Sequence, residues 1–169
     1  GKHLAALAGQ HMKRVTMELG GHAPAIVFDD ADIKSAVSIL AANKFRNAGQ
    51  VCVAPTRFLV QDGVYNDFLS QFVETVRAIK VGPGVDPDSK MGALVSQRRV
   101  DAMEGFVADA VQHGAKIETG GKRMGNEGFF FEPTVLTNVS KDSRIMNEEP
   151  FGPLAPVSRF SSYEEVVAE

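Results

Sequence analysis

Short apolar runs alternate along this chain with longer segments in which apolar residues recur with helical period. The predicted strands are Arg14–Leu19, Ala23–Asp29, Arg57–Gln61, Lys116–Gly120, Phe129–Val139 and Pro153–Phe160. Helices are predicted within residues 4–9, 33–45, 64–79, 97–113 and 161–169. Strands that alternate with helices of this length are typical of βαβ units. The sequence therefore predicts an α/β fold, with a mainly parallel sheet flanked by helices.

Polar residues and glycine at the predicted helix boundaries support this division. Asp29, Asp30 and Asp32 precede the second helical segment, where a carboxylate can accept bonds from the first free N–H groups. Ser96 offers the same cap to the helix within 97–113, and Gly114 suits the position after its end. The first helix lacks a preceding strand and the last has barely begun, so we expect a fragment of a longer chain.

Composition excludes several classes of partner. The net charge is −3 with both signs spread along the chain, which argues against nucleic acid. The apolar runs fall far short of the roughly 20 residues that a membrane-spanning helix needs, so we expect no membrane partner. The single cysteine excludes an intrachain disulfide and a cysteine-rich zinc site, and it fits the reducing cytoplasm.

The histidines offer no recognisable metal or catalytic motif. They form neither an HExxH pattern nor a cluster with the cysteine, so no metal site is expected. The four residues, His3, His11, His22 and His113, are each interpreted as surface residues. His22 follows a glycine pair and could approach a site in space, but a solvated loop position is the favoured interpretation.

Cys52 lies in the polar, glycine-containing stretch RNAGQVCVAP between a predicted helix and a predicted strand. Free cysteine is often only a small buried hydrophobic residue, and composition leaves that interpretation open. The alternative is a nucleophile, because the thiol is intrinsically reactive and loops between rigid elements display reacting groups.

Two acidic positions also suggest chemistry. Glu18 ends a predicted strand just before two glycines, and reactive groups of α/β enzymes lie at the carboxyl ends of strands. A salt-bridged or solvated strand-end glutamate is the structural alternative. The segment NEEPFGP, residues 147–153, fixes two acids and a phenylalanine between prolines. A rigid turn explains its prolines but not its acids.

Three motifs in order, VTMELGG, FRNAGQVC and EEPFGPLAPV, strongly resemble the aldehyde dehydrogenase superfamily, in particular its succinate-semialdehyde dehydrogenase group. The resemblance extends through essentially all 169 residues. It implies that residues 1–20 are the end of the cofactor-binding domain, a helix and a strand. Residues 21–169 would be most of the catalytic domain.

The resemblance implies a role for each matching residue. Cys52 is the expected nucleophile, which forms a thiohemiacetal and then a thioester, and Glu18 is the expected general base. Glu149, Phe151 and Gly20 are the expected cofactor-binding residues, for NAD or NADP. The Cys52 backbone N–H would be one donor to the oxyanion.

Arg46 and Asn47 each leave two interpretations open. Arg46 matches an arginine that binds the far carboxylate of semialdehyde substrates, or else it interacts with the C-terminal end of the preceding helix. Asn47 could replace an oxyanion donor that the family takes from an upstream segment. Its place in the motif favours bracing of the loop instead.

The expected function is NAD(P)-dependent oxidation of succinate semialdehyde or a related carboxylated aldehyde. A general aliphatic aldehyde dehydrogenase and a cofactor-independent, esterase-like thiol activity are the alternatives. The family implies a homodimer or homotetramer. The 169-residue chain alone is expected to be inactive, because most of the cofactor pocket lies outside it.

Overall fold

The structure is a computed structural model that describes residues 1–169. The helices are α1 Lys2–Gln10, α2 Ile33–Phe45, α3 Tyr65–Arg77, α4 Gln97–Gln112, α5 Arg144–Asn147 and α6 Tyr163–Ala168. The strands are β1 Pro24–Val27, β2 Arg57–Gln61, β3 Lys116–Thr119, β4 Thr134–Thr137 and β5 Leu154–Phe160.

The five strands form one sheet in the order β1-β2-β5-β4-β3. The strands β1, β2, β5 and β4 run parallel, and β3 pairs antiparallel with β4 at the edge of the sheet. Pro24 pairs with Arg57, and Phe58 pairs with Val157, so β1, β2 and β5 are direct neighbours in the sheet. The predicted α/β fold with a mainly parallel sheet is confirmed.

Helices cover the two faces of the sheet unequally. Side chains alternate between faces along a strand, so Phe58 and Val60 join the main core with α2, α3 and α4. Leu59 points to the other face and packs with Phe160 and with Val166 of α6. Fully burying an aromatic or aliphatic side chain contributes about 1.5–3 kcal/mol, so the three-helix face provides most of the stabilisation.

Several predicted boundaries are confirmed by local contacts. Asp32 caps α2, because its carboxylate accepts hydrogen bonds from Ser35 N at 3.2 Å and from Ser35 Oγ at 2.8 Å. Gly114 follows α4 with a φ of 92°, in the left-handed region that favours glycine. Ser96 precedes α4, but its side chain makes no capping hydrogen bond.

The predicted strand at Arg14–Leu19 is wrong. These residues pair with no strand, and Val15 and Leu19 are 50% and 60% exposed. A strand needs a neighbouring edge for its N–H and C=O groups, and no edge within these 169 residues lies beside this segment. The predicted strand at Phe129–Val139 is also shorter than expected, because only Thr134–Thr137 joins the sheet.

Candidate active site

Three segments lead into the amino ends of three neighbouring parallel strands. Residues 18–23 precede β1. Residues 46–56, which we call the cysteine loop, precede β2, and residues 148–153, which we call the acidic turn, precede β5. Because β1, β2 and β5 are adjacent and parallel, these segments meet at one end of the sheet, where the three strands begin. The expectation that Glu18 lies at the carboxyl end of a strand is therefore wrong, since the segment enters a strand instead of leaving one.

A tight turn directs the cysteine loop away from α2. Asn47, Ala48 and Gly49 have φ values of 51°, 53° and 71°, all in the left-handed region. Non-glycine residues in this region cost of order 1 kcal/mol each, so surrounding contacts must hold them there. A Cβ built on Gly49 would overlap the carbonyl oxygen of Gly152. The cysteine loop and the acidic turn therefore touch backbone to backbone.

Side-chain amides brace the same loop. Asn47 Nδ2 donates to Gln50 O at 3.1 Å, and Gln50 Nε2 donates back to Asn47 O at 3.0 Å. Gln50 Oε1 accepts the Val95 N–H at 2.9 Å, which ties the loop to the segment before α4. The amide of Asn47 is thus engaged within the loop, in agreement with the predicted bracing role.

Cys52 is an exposed, free thiol. The interpretation as a small buried hydrophobic residue is therefore wrong. The Cys52 backbone N–H makes no hydrogen bond within the protein, although Ala54 N closes the turn onto Val51 O at 3.0 Å. A thiol and an unengaged N–H on the same residue can attack a carbonyl carbon and stabilise the resulting oxyanion.

The acidic turn is held by α4. Arg99 Nη2 donates to the carbonyl oxygens of Pro150 and of Phe151, the second at 3.3 Å. Burial lowers the pKa of Arg99, while the nearby Glu149 carboxylate opposes that shift. Phe151 has a φ of 44°, and its side chain is half-buried. Arg99 therefore stabilises a left-handed turn that sequence motifs alone did not reveal.

Two of the predicted cofactor-binding residues are in contact. A Cβ built on Gly20 would lie 3.0 Å from Glu149 Oε2, so the absence of a side chain at Gly20 lets the carboxylate lie close to the backbone of residues 18–23. Glu18 is exposed and makes no hydrogen bond or ion pair, with Cys52 or with any other residue. Glu18 therefore makes no salt bridge, and its carboxylate is solvated, which fits the second form of the structural alternative.

Arg46 occupies the C-cap position of α2, and its backbone N–H bonds to Ala42 O. Its exposed guanidinium makes no hydrogen bond and lines a cavity of about 670 Å³ between α2 and α3. Lys34, Glu74 and Lys90 line the same cavity, but Cys52 does not. The structure therefore places Arg46 near the negative end of α2 and on a partly basic cavity.

His22 is not the solvated loop residue that the sequence suggested. Its ring is half-buried, Nδ1 lies 2.8 Å from Thr56 Oγ1, and Nε2 lies 3.1 Å from Ile145 O. Burial and then the charge of Arg57 lower the pKa of His22. No local pattern could reveal this arrangement, because His22 and Ile145 are separated by 123 positions.

Lys44, two residues before the cysteine loop, is a fully buried base. Its side chain is 0% exposed, and Nζ has no hydrogen-bond partner. Burial lowers its pKa from the ordinary 10.5 to about 7. A sequence signal existed here, because Lys44 falls on the stripe of Val37 and Ala41 that faces the core.

No three or more His, Cys, Asp or Glu side chains converge in a group that could hold a metal ion. None of the helices combines the length and the apolar character required to cross a membrane.

Known proteins match this chain over essentially its whole length. The sequence model described as the aldehyde dehydrogenase family matches residues 1–169. A probable succinate-semialdehyde dehydrogenase (NADP(+)) of Sinorhizobium fredii is 50% identical over 169 residues, which are 100% of this chain and 34% of that protein. The mitochondrial succinate-semialdehyde dehydrogenase of Mus musculus is 48% identical, over 99% of this chain and 32% of its own length.

Solved structures show the same relationship. The crystal structure of succinate-semialdehyde dehydrogenase from Burkholderia pseudomallei matches with a TM-score of 0.96 at 46% identity. The match covers 99% of this chain and 35% of that one. The chain spans about a third of the length of the curated relatives it matches.

Proposed function

This chain belongs to the aldehyde dehydrogenase family, and on that premise we propose that its parent polypeptide oxidises a carboxylated aldehyde with NAD or NADP. The observation that carries the proposal is that three segments meet at one end of the sheet, where β1, β2 and β5 begin. They bring an exposed thiol, a solvated carboxylate and an acidic turn to the amino ends of β1, β2 and β5.

The first half of the reaction uses Cys52. Its thiolate adds to the aldehyde carbon, and the carbonyl oxygen becomes an oxyanion that the Cys52 N–H can stabilise. When bound, the nicotinamide accepts the hydride that leaves the thiohemiacetal carbon. As the C–H bond breaks, the carbonyl reforms and a thioester remains on the Cys52 sulfur.

The second half uses Glu18. Its exposed carboxylate takes a proton from water, and the oxygen of that water attacks the thioester carbonyl. The C–S bond then breaks, which releases the acid and restores the Cys52 thiolate. A solvated carboxylate suits this step because it requires access to water.

The residues around the acidic turn fit a dinucleotide. Glu149 can accept hydrogen bonds from ribose hydroxyls, and Gly20 lets its carboxylate lie close to the backbone of residues 18–23. Phe151 offers a half-buried apolar ring beside it. The relative from Sinorhizobium fredii is named as an NADP(+) enzyme, which favours NADP over NAD.

Succinate semialdehyde is the proposed substrate. The names of the Sinorhizobium fredii and Mus musculus relatives support this choice. Arg46 is the proposed carboxylate ligand: its guanidinium is exposed and free of hydrogen bonds at the start of the cysteine loop, on a cavity that Cys52 does not line. A planar guanidinium forms paired charge-assisted bonds with a carboxylate.

The domain assignment is part of the same proposal. Residues 1–20, assigned to the end of the cofactor-binding domain, contain no fully buried side chain. The main core begins at Val27, within residues 21–169, which we assign to most of the catalytic domain. We further infer a homodimer or homotetramer in the cytoplasm, where an exposed free thiol stays reduced.

The activity test is the absorbance of reduced nicotinamide formed by the complete polypeptide. Succinate semialdehyde and butanal are offered in parallel, each with NAD and with NADP. We expect kcat/KM for succinate semialdehyde to exceed that for butanal by at least about tenfold, with loss of that preference in Arg46→Met. Lys34→Met, another exposed cation on the same cavity, is the control.

Equal rates with both aldehydes would leave a general aliphatic aldehyde dehydrogenase. Hydrolysis of an activated ester without cofactor is a second activity that the exposed Cys52 and Glu18 favour. Such hydrolysis should disappear in Cys52→Ala.

A further inference from the structure

The His22 ring joins two of the three segments of the candidate active site to α5, the short helix that leads into the third. It follows Glu18 and Gly20 in the segment before β1. Through Nδ1 it contacts Thr56, in the segment that carries Cys52 into β2, at 2.8 Å. Through Nε2 it contacts the carbonyl oxygen of Ile145, in the short helix that precedes Glu149, at 3.1 Å.

The partners of the ring determine where its protons lie. The Ile145 carbonyl can only accept, so Nε2 must carry the hydrogen. In the neutral ring Nδ1 is then an acceptor, and the Thr56 hydroxyl donates to it. Thr56 Oγ1 also lies 3.2 Å from Ala23 O, within the His22 segment itself, but the hydroxyl has one proton and its 2.8 Å contact with Nδ1 is the shorter of the two. Thr56 is 5% exposed, so water does not compete effectively for its hydroxyl.

The charges around the ring favour this neutral form. Arg57 of β2 and, more weakly, Lys44 of α2 are the basic groups that act on it, and no carboxylate does. From the side of α5 it meets the backbone of Ile145 and of Glu148, whose hydrogen bonds raise its pKa. Burial and then the charge of Arg57 outweigh these bonds and hold the pKa of His22 below its ordinary value, so the pattern persists at neutral pH.

We propose that His22 is a positioning residue, which holds the Glu18–Gly20 segment and the Glu149 turn in register with the cysteine loop through Thr56 and Ile145. The inference rests on the proposed roles of Cys52, Gly20 and Glu149. His22 touches neither substrate nor cofactor in this scheme. Its loss should therefore weaken cofactor binding and slow thioester formation together, because both depend on the relative placement of the three segments.

The test compares His22→Ala, Thr56→Val and the double variant in the complete enzyme. The readouts are the dissociation constant of NADPH, the rate of thioester formation and the melting temperature. We expect each single variant to lose about tenfold in binding and in rate. The double variant should lose no more than His22→Ala alone, because removal of the ring already breaks the bond to Thr56 along with the bond to Ile145.

Two controls separate positioning from general damage. Thr56→Ser keeps the hydroxyl and should retain wild-type binding, whereas His113→Ala removes an exposed histidine outside the three segments, which bonds only within α4, and should leave NADPH binding and the rate of thioester formation unchanged. If His22→Ala does not fold, Thr56→Val and Thr56→Ser carry the test alone. Unchanged binding in Thr56→Val, or a double variant whose loss is the product of the single losses, would overturn the inference.

Failure of the proposed function has a different signature. If the wild-type enzyme oxidises no aldehyde, the rate of Cys52 alkylation by iodoacetamide still reports on the loop in every variant. An active wild type with unaffected His22 and Thr56 variants would reject the positioning role alone.

Discussion

Lys44 holds an ammonium group away from both water and hydrogen-bond partners. Burying an unpaired charge is expensive, and the group responds by releasing its proton more easily. With a pKa of about 7, Lys44 is partly neutral under physiological conditions. The charge state of Lys44 is therefore set by its burial in the core.

The pH dependence of stability follows from that shift. Between pH 7 and 10.5 the unfolded chain binds a proton at Lys44 that the folded chain has released. The free energy of unfolding should therefore rise with pH across this window, by about 1.4 kcal/mol per unit, and the contribution should be flat below pH 7. Lys44→Met should remove this rise and stabilise the protein at pH 7 by on the order of 3 kcal/mol.

Urea unfolding at pH 7, 8 and 9 checks this prediction. Lys34→Met, an exposed lysine on the same helix, is the control and should keep the wild-type slope. An identical pH slope in Lys44→Met and the wild type would show that Lys44 is not a source of the dependence.

At the level of elements, the cysteine loop and the acidic turn act as one unit. Gly49 and Gly152 touch through their backbones, and Arg99 of α4 bonds the carbonyls of Pro150 and Phe151.

Most helices and strands could be predicted because their signals are local: period, caps and apolar runs. The segment Arg14–Leu19 could not, because strand formation depends on a neighbouring edge that local pattern does not report.

Gly49→Ala tests this contact between the two segments. The added Cβ would overlap the Gly152 carbonyl, and alanine is strained at a φ of 71°. We expect a loss of about 2 kcal/mol in stability and at least about tenfold in the rate of Cys52 alkylation by iodoacetamide. Gly9→Ala meets no atom within 4 Å and should be neutral or slightly stabilising. A Gly49→Ala protein that behaves like Gly9→Ala would refute the contact.

At the scale of the whole molecule, topology assembles the site. Motifs predicted Cys52, Glu18 and Glu149 as site residues, but they could not place the three segments at the amino ends of β1, β2 and β5. That placement depends on strand order, which crossover connections decide over long sequence distances. His22 and Arg99 went unrecognised for the same reason, since each contacts a segment remote in sequence.

The central claim is that Cys52 carries the acyl group and that Glu18 supplies the water that removes it. The most direct measurement is peptide mass mapping of the complete Glu18→Gln enzyme after a short reaction with succinate semialdehyde and NADP. Loss of a general base slows its step by about 10²- to 10⁴-fold, so the thioester should accumulate as one succinyl group on the Cys52 peptide. An unmodified Cys52 peptide, or a succinyl group on another residue, would contradict the account.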